Sequence, residues 1–211
     1  MIQISPSLLA ADFSILRDEI QSVSAADFLH LDIMDGHFVP NLTMGPDLVA
    51  SIRPHTQLPF DTHLMISHPL KYIEAFAKSG SDYITVHVEQ SDDIWECISL
   101  IQRCGKKAGL SISPDTGIEA LAPYLNHISM ITVMSVYPGF GGQAFIESSY
   151  EKIRGVRQMI QGKEILLSVD GGVNFENVRK LEDAGVTMAV AGSTVFRAVD
   201  REDAIIRLRG E

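Results

Sequence analysis

Residues 30–41 read HLDIMDGHFVPN and bring two histidines and two aspartates to the end of an apolar run. Ionisable groups in such a setting cost several kcal/mol each unless they are paired or bind a metal. The same signature recurs further along. PFDTHLMI (59–66) carries Asp61 and His63, and EILLSVDGG (164–172) carries Asp170. Two neutral imidazoles and two carboxylates, His30, Asp32, His63 and Asp170, form a donor set suited to one divalent cation with positions left open for a substrate. Singly, each residue has a plainer reading. A lone histidine on an apolar strand is usually a hydrogen-bonded core residue, and an aspartate at a strand end usually caps a helix or forms a turn. A calcium loop is excluded, because Phe38, Val39 and Pro40 stand where oxygen ligands belong. Asp35 and Gly36 read as turn chemistry.

Only a particular architecture brings these residues together. Apolar or β-branched runs occur at 2–5, 28–33, 59–65, 82–87, 107–112, 128–134, 164–169 and 187–191. Helical patterns lie between them, opened by Asp12, Ser67, Ser91 and Asn174 and closed by Gly80, Gly105 and Gly185. Alternating strands and helices imply a parallel sheet with crossover helices. About eight such units close naturally into a (β/α)8 TIM barrel, expected here as one α/β domain over 1–211. An open doubly wound sheet is disfavoured, since no G-x-G-x-x-G follows the first strand. Strand alternation puts Phe28, His30 and Asp32 on one face, with Asp61, His63 and Met65 together on the next strand. Leu166, Ser168 and Asp170 share a face, as do Gln3, Ser5 and Ser7. Ionisable side chains thus recur on inward faces near the C-terminal strand ends, where barrel enzymes carry their sites.

Three glycine-rich loops follow the last three strands: PGFGGQ (138–143), DGG (170–172) and AGS (191–193). Glycines let backbone N–H groups approach an anion, and barrels often hold phosphate between the loops after strands seven and eight. The PGFGGQ loop is placed to close over a ligand and exclude water. Met34, Met65 and Met134 fall at or near strand ends. They read either as adaptable core filling or as a soft apolar lining around a reacting centre.

The net charge of -10, from 27 acidic and 17 basic residues, excludes general nucleic-acid binding but not a small anion held by backbone groups. Cys97 and Cys104 are expected as reduced thiols, too far apart along one helix for a disulfide. No run reaches the roughly 18 apolar residues of a membrane span, so a cytoplasmic location without membrane partners is expected.

SPSLLAAD (5–12), HLDIMDGHFVPN (30–41), DTHLM (61–65), VMSVYPGFGGQAF (133–145), SVDGGV (168–173) and AGSTVF (191–196) together closely resemble the ribulose-phosphate 3-epimerase family. The resemblance spans nearly the whole chain, in order. It implies a metal-dependent (β/α)8 barrel that interconverts ribulose 5-phosphate and xylulose 5-phosphate by inverting carbon 3. By motif it makes His30, Asp32, His63 and Asp170 the ligands of a divalent cation. Zinc comes first, with iron, cobalt or manganese as alternatives. It makes Asp32 and Asp170 the acid/base pair and puts Ser7 and His63 against the substrate. Gly139, Phe140, Gly141, Gly142, Gly171, Gly172, Gly192 and Ser193 would hold the substrate and its phosphate, and the three methionines would lie beside the intermediate. A homo-oligomer, dimeric or hexameric, is implied as well. Tyr137 departs from the small or polar residue expected before PGFGGQ, and keeps a six-carbon ketose such as allulose 6-phosphate as an alternative substrate.

The chemistry explains the residue types. Removing the carbon 3 proton next to a carbonyl makes an enediolate, whose charge a cation would stabilise as a Lewis acid. Inversion needs a base on one face and an acid on the other, which two carboxylates from separated strands can supply. Phosphate-dependent decarboxylases on related barrels use D-x-K-x-x-D on the third strand. Here His63 replaces the lysine and the second aspartate is absent, which favours metal chemistry. A phosphosugar-binding protein without turnover is the remaining alternative, because fold does not fix function; it leaves both carboxylates unexplained.

Overall fold

Period-two runs become strands and period-3.6 runs become helices in the computed structural model, which describes residues 1–210. Glu211, the last residue of the expected domain, lies outside the described residues. The strands are β1 (Gln3–Pro6), β2 (Leu29–Met34), β3 (Phe60–Met65), β4 (Tyr83–His87), β5 (Lys107–Ile112), β6 (Met130–Met134), β7 (Leu166–Asp170) and β8 (Met188–Ala191). The helices are α1 (Leu16–Gln21), α2 (Pro46–Ile52), α3 (Ile73–Ser79), α4 (Ile94–Arg103), α5 (Ser149–Met159), α6 (Val178–Asp183), α7 (Ser193–Phe196) and α8 (Arg201–Arg209). Between β5 and β6 the crossover is a 3-10 helix, Ile118–Tyr124, with Pro123 inside it.

All eight strands form one parallel sheet in the order β1-β8-β7-β6-β5-β4-β3-β2. The ends of this sheet meet: Ser7 bridges His30, and the Ile4 carbonyl accepts the Asp27 N–H at 3.0 Å. The result is the expected TIM barrel, closed except for this thin β1–β2 seam. Among the described residues, no helix is long and apolar enough to cross a membrane.

The outward strand faces are aliphatic. Leu29, Leu31 and Ile33 of β2 pack in the main core with the inner stripe of α4, formed by Ile94, Cys97, Ile98 and Ile101. Each such side chain contributes about 1.5–3 kcal/mol on burial. The inward faces run in layers. Phe28, Tyr83, Met130 and Met188 fill the N-terminal end as a separate apolar cluster. Above them the lining turns polar. Register places His30 opposite Asp61, Asp32 opposite His63, and Met134 opposite Asp170.

Helix starts differ from the sequence reading in two places. Asp93, rather than Ser91, caps α4 by accepting the Glu96 N–H at 2.9 Å. Pro69 opens a 3-10 turn before α3, and Asp92 takes the Leu70 N–H at 2.9 Å, so Ser67 caps nothing there. Asn174 caps the turn ahead of α6 through the Glu176 and Asn177 N–H groups. At Ser67 and Ser91 a nearby Asp, or a proline, overrides the residue that periodicity alone selects, whereas Asn174 keeps its capping role. The glycine stop at Gly80 holds, at φ +111.

Candidate active site

The four predicted ligands converge at the C-terminal mouth of the barrel. One donor atom from each of His30, Asp32, His63 and Asp170 lies within 4.8 Å of all the others. His30 Nε2 is 3.4 Å from Asp32 Oδ1 and 3.7 Å from Asp170 Oδ2. His63 Nδ1 is 3.9 Å from Asp32 Oδ1 and 3.5 Å from Asp170 Oδ2. A tetrahedral shell with bonds of about 2.0–2.2 Å has edges of roughly 3.3–3.6 Å. The four His–Asp spacings, 3.4 to 3.9 Å, start within that range and end slightly above it, so a small contraction would close the quartet on one cation.

The histidines supply a second test of that fit. His30 Nε2 and His63 Nδ1 are buried and have no hydrogen-bond partner among the described residues. Both atoms face the carboxylates. The other nitrogen of each ring is engaged: His30 Nδ1 donates to Asp61 Oδ2 at 2.7 Å, and His63 Nε2 lies 2.9 Å from His87 Nε2. A carboxylate behind a histidine is the usual support of a metal-ligating imidazole.

Charge in this centre is strongly coupled. Burial pushes the His30 imidazole down, but Asp32 and Asp61 outweigh it and hold the ring well above the ordinary histidine value. Burial raises the Asp32 carboxyl, but His30, His63 and the Ser7 hydroxyl bring it to about 2. Asp32 is thus an anion at neutral pH. Ser7 Oγ donates to Asp32 Oδ2 at 2.6 Å, so the predicted substrate contact also fixes a carboxylate.

Above the quartet opens a cleft of about 200 Å³. Ser7, Asp32, Asp170, the three methionines and every predicted glycine-loop residue line it. His30 and His63 are fully buried and lie outside this lining. The glycines are fitted to their places. A Cβ on Gly172, at φ +66, would stand 2.6 Å from the backbone nitrogen of Phe145. Gly172→Ala is expected to cost about 2–4 kcal/mol through overpacking and backbone strain. A thermal melt checks this; an unchanged midpoint would show that the loop yields freely.

Residues outside the predicted set also shape the site. Ser135 Oγ donates to the carbonyls of Asp170 at 3.0 Å and Gly171 at 2.6 Å, fixing the turn that presents Asp170. Asn41 Nδ2 donates to the Gly139 carbonyl at 2.8 Å and ties the loop after β2 to the PGFGGQ loop. Asp35 takes the N–H groups of His37, Phe38 and Ser67, which agrees with the turn reading. Tyr137 is exposed and points its hydroxyl at Asp115 Oδ1, 3.1 Å away, rather than into the cleft. The cysteines are free, as expected.

Comparison with known proteins follows the same line. Ribulose-phosphate 3-epimerase of Bacillus subtilis is 45% identical to this chain, covering 100% of it and 99% of the relative. The proteins of the same name from Chlamydia pneumoniae and Mycobacterium tuberculosis are each 44% identical, covering 100% and 98% of this chain and 95% and 91% of theirs. Among solved structures, KGPDC from Streptococcus mutans superposes with a TM-score of 0.76 at 15% identity, over 99% of this chain and 96% of that one. For 3-hexulose-6-phosphate synthase from Salmonella typhimurium the TM-score is 0.70 at 18% identity, over 98% and 96%. At such identities the likeness is one of fold. A model of the Ribulose-phosphate 3 epimerase family matches residues 3–196, and with these full-length relatives it places the chain in that family.

Proposed function

We propose that the chain is a metal-dependent epimerase that inverts carbon 3 of D-ribulose 5-phosphate to give D-xylulose 5-phosphate, and the reverse. The observation that carries the reading is the placement of two carboxylates from separate parts of the barrel at one buried cation-sized centre. Asp32 lies on β2 and Asp170 ends β7, with β1 and β8 between them on the shorter way round.

In the proposed reaction one carboxylate removes the proton from carbon 3 and leaves a planar enediolate. The other carboxyl delivers a proton to the opposite face, and the roles exchange in the reverse direction. Ser7 holds Asp32 in place during both steps. His30, Asp32, His63 and Asp170 would hold a divalent cation, which supplies Lewis-acid stabilisation of the charge developing on the substrate oxygens. Zinc suits two imidazoles and two carboxylates, and iron, cobalt and manganese suit them also. Backbone N–H groups of Gly171, Gly172, Gly192 and Ser193 receive the phosphate, helped by the start of α7, which no side chain caps. Gly139, Phe140, Gly141 and Gly142 cover the sugar, and Met34, Met65 and Met134 give the intermediate an apolar wall.

Tyr137 is the residue that keeps a six-carbon ketose as an alternative, and its side chain engages Asp115 outside the cleft. The five-carbon substrate is therefore preferred. We assign the enzyme to the cytoplasm as a homo-oligomer, on the family resemblance.

In deuterium oxide, the protein is expected to exchange the carbon 3 hydrogen of ribulose 5-phosphate as it forms xylulose 5-phosphate. Chelation should stop both. A higher kcat/KM for allulose 6-phosphate would overturn the substrate assignment, and binding without exchange would overturn the enzymatic one.

A further inference from the structure

Of the two histidines among the predicted ligands, His63 is the one whose supporting partner is not an anion. Its Nε2 faces Nε2 of His87 at 2.9 Å, with the two rings stacked 4.9 Å apart at 17°. His87 Nδ1 in turn lies 3.0 Å from Glu89 Oε2. The other oxygen, Glu89 Oε1, accepts the Ser113 N–H at 2.8 Å and the Thr116 hydroxyl. His87 is fully buried at the end of β4, and the Glu89 side chain is 25% exposed.

The chain of contacts fixes every proton along it. Ser113 and Thr116 only donate to Glu89, and an ionised carboxylate only accepts, so His87 Nδ1 must carry the hydrogen toward Oε2. The ring is fully buried, where a second proton would leave a charge out of water, so with the hydrogen on Nδ1 its Nε2 is a lone pair. The short contact to His63 then requires that His63 Nε2 carry the hydrogen. His63 Nδ1 is left as a lone pair, and it is this atom that faces Asp32 and Asp170 without a hydrogen-bond partner. Without the carboxylate, the contact between the two rings would be satisfied equally well with the protons reversed. His63 would then point an N–H at the carboxylates.

We propose that Glu89 and His87 are positioning residues for the metal centre: they hold His63 in its Nε2–H form and so present its Nδ1 lone pair to the cation. This rests on the functional reading above, which makes His63 a ligand. A different support serves His30, where Asp61 accepts directly from Nδ1 and frees Nε2. The two ligand histidines thus offer opposite nitrogens, each selected from behind.

Glu89→Gln tests the idea because the local donors dictate its orientation. Ser113 N–H and Thr116 Oγ–H keep the amide oxygen at the Oε1 position and turn the amide NH₂ toward His87 Nδ1. The variant side chain then donates where the native one accepts, and the whole relay reverses. Nitrogen-15 NMR of the metal-free wild-type protein should show His63 protonated on Nε2. In Glu89→Gln the proton should move to Nδ1, and calorimetric titration with zinc(II) should give about 10–100-fold weaker binding. Glu89→Asp, which keeps the anion, should recover part of that loss.

The wild-type spectrum needs no variant to fold, and His63 found protonated on Nδ1 there would overturn the proposal. So would a Glu89→Gln protein whose zinc affinity stays within twofold of a wild type that binds normally. A wild type that takes up neither zinc(II) nor cobalt(II) would instead sink the functional reading, and this role with it.

Discussion

Asp170→Asn is expected to lower turnover by about 10³-fold or more while leaving the barrel folded. General acid–base groups contribute typically about 10²–10⁴-fold, and this side chain is also a proposed ligand. Asparagine keeps the volume and one oxygen, so metal content under excess cation should remain near one equivalent. What it cannot do is take or give the proton at carbon 3. The same holds for Asp32→Asn, where the native group is an anion held by His30, His63 and Ser7. The two variants should also differ in a way that a general loss of activity would not produce. A carboxylate left alone on one face can still remove and return a proton on that face. Each variant should therefore wash deuterium into one epimer without inverting it, and the two should choose different epimers. Near wild-type rates in either variant, with a normal metal content, would end the two-base assignment.

Stripping the cation is expected to abolish epimerisation entirely and to leave a protein whose stability runs the opposite way with pH from that of the loaded form. The sign follows from His30. Its folded value is raised well above the ordinary one by Asp32 and Asp61, against the opposing effect of burial. A raised histidine stabilises the fold most below its unfolded value of about 6.5, and that contribution fades as pH climbs through the raised folded value. Without the imidazolium, Asp32 and Asp61 remain buried with less positive charge near them. A bound divalent cation supplies that charge and displaces the proton from Nε2. The difference in melting temperature between loaded and metal-free protein should therefore widen from pH 6 toward alkaline pH. Differential scanning calorimetry of both forms across that range tests it, and a constant or shrinking gap would contradict the assigned ligand set.

Much of this centre is legible in the chain because strand alternation and barrel closure act together. His30, Asp32, His63 and Asp170 each sit on an inward strand face, and closing the sheet brings them together. Asp61 was visible on the same face as His63, but nothing local says that register would set it behind His30. His87 carried the same signal as the proposed ligands, an ionisable side chain ending an apolar run, yet nothing in sequence says that it would meet His63. Glu89 and Ser135 lie beyond their strands, where no periodicity operates, and only tertiary contact reveals them. The helix starts slipped for a related reason. At Ser67 and Ser91 the choice among nearby capping residues depends on where the backbone leaves the barrel rim, which the hydrophobic pattern does not encode.

The sparse joint between the first and second strands has a mechanical meaning. Seven of the barrel's eight joints are laced by regular ladders, whereas this joint has a single bridge, and that bridge is Ser7 with His30. Ser7 also grips Asp32 from across the gap. The proposed catalytic fixture is thus bolted over the line along which the cask would first spring. Strain that parts those two staves disarms the enzyme before the remaining hoops let go, so inactivation precedes collapse.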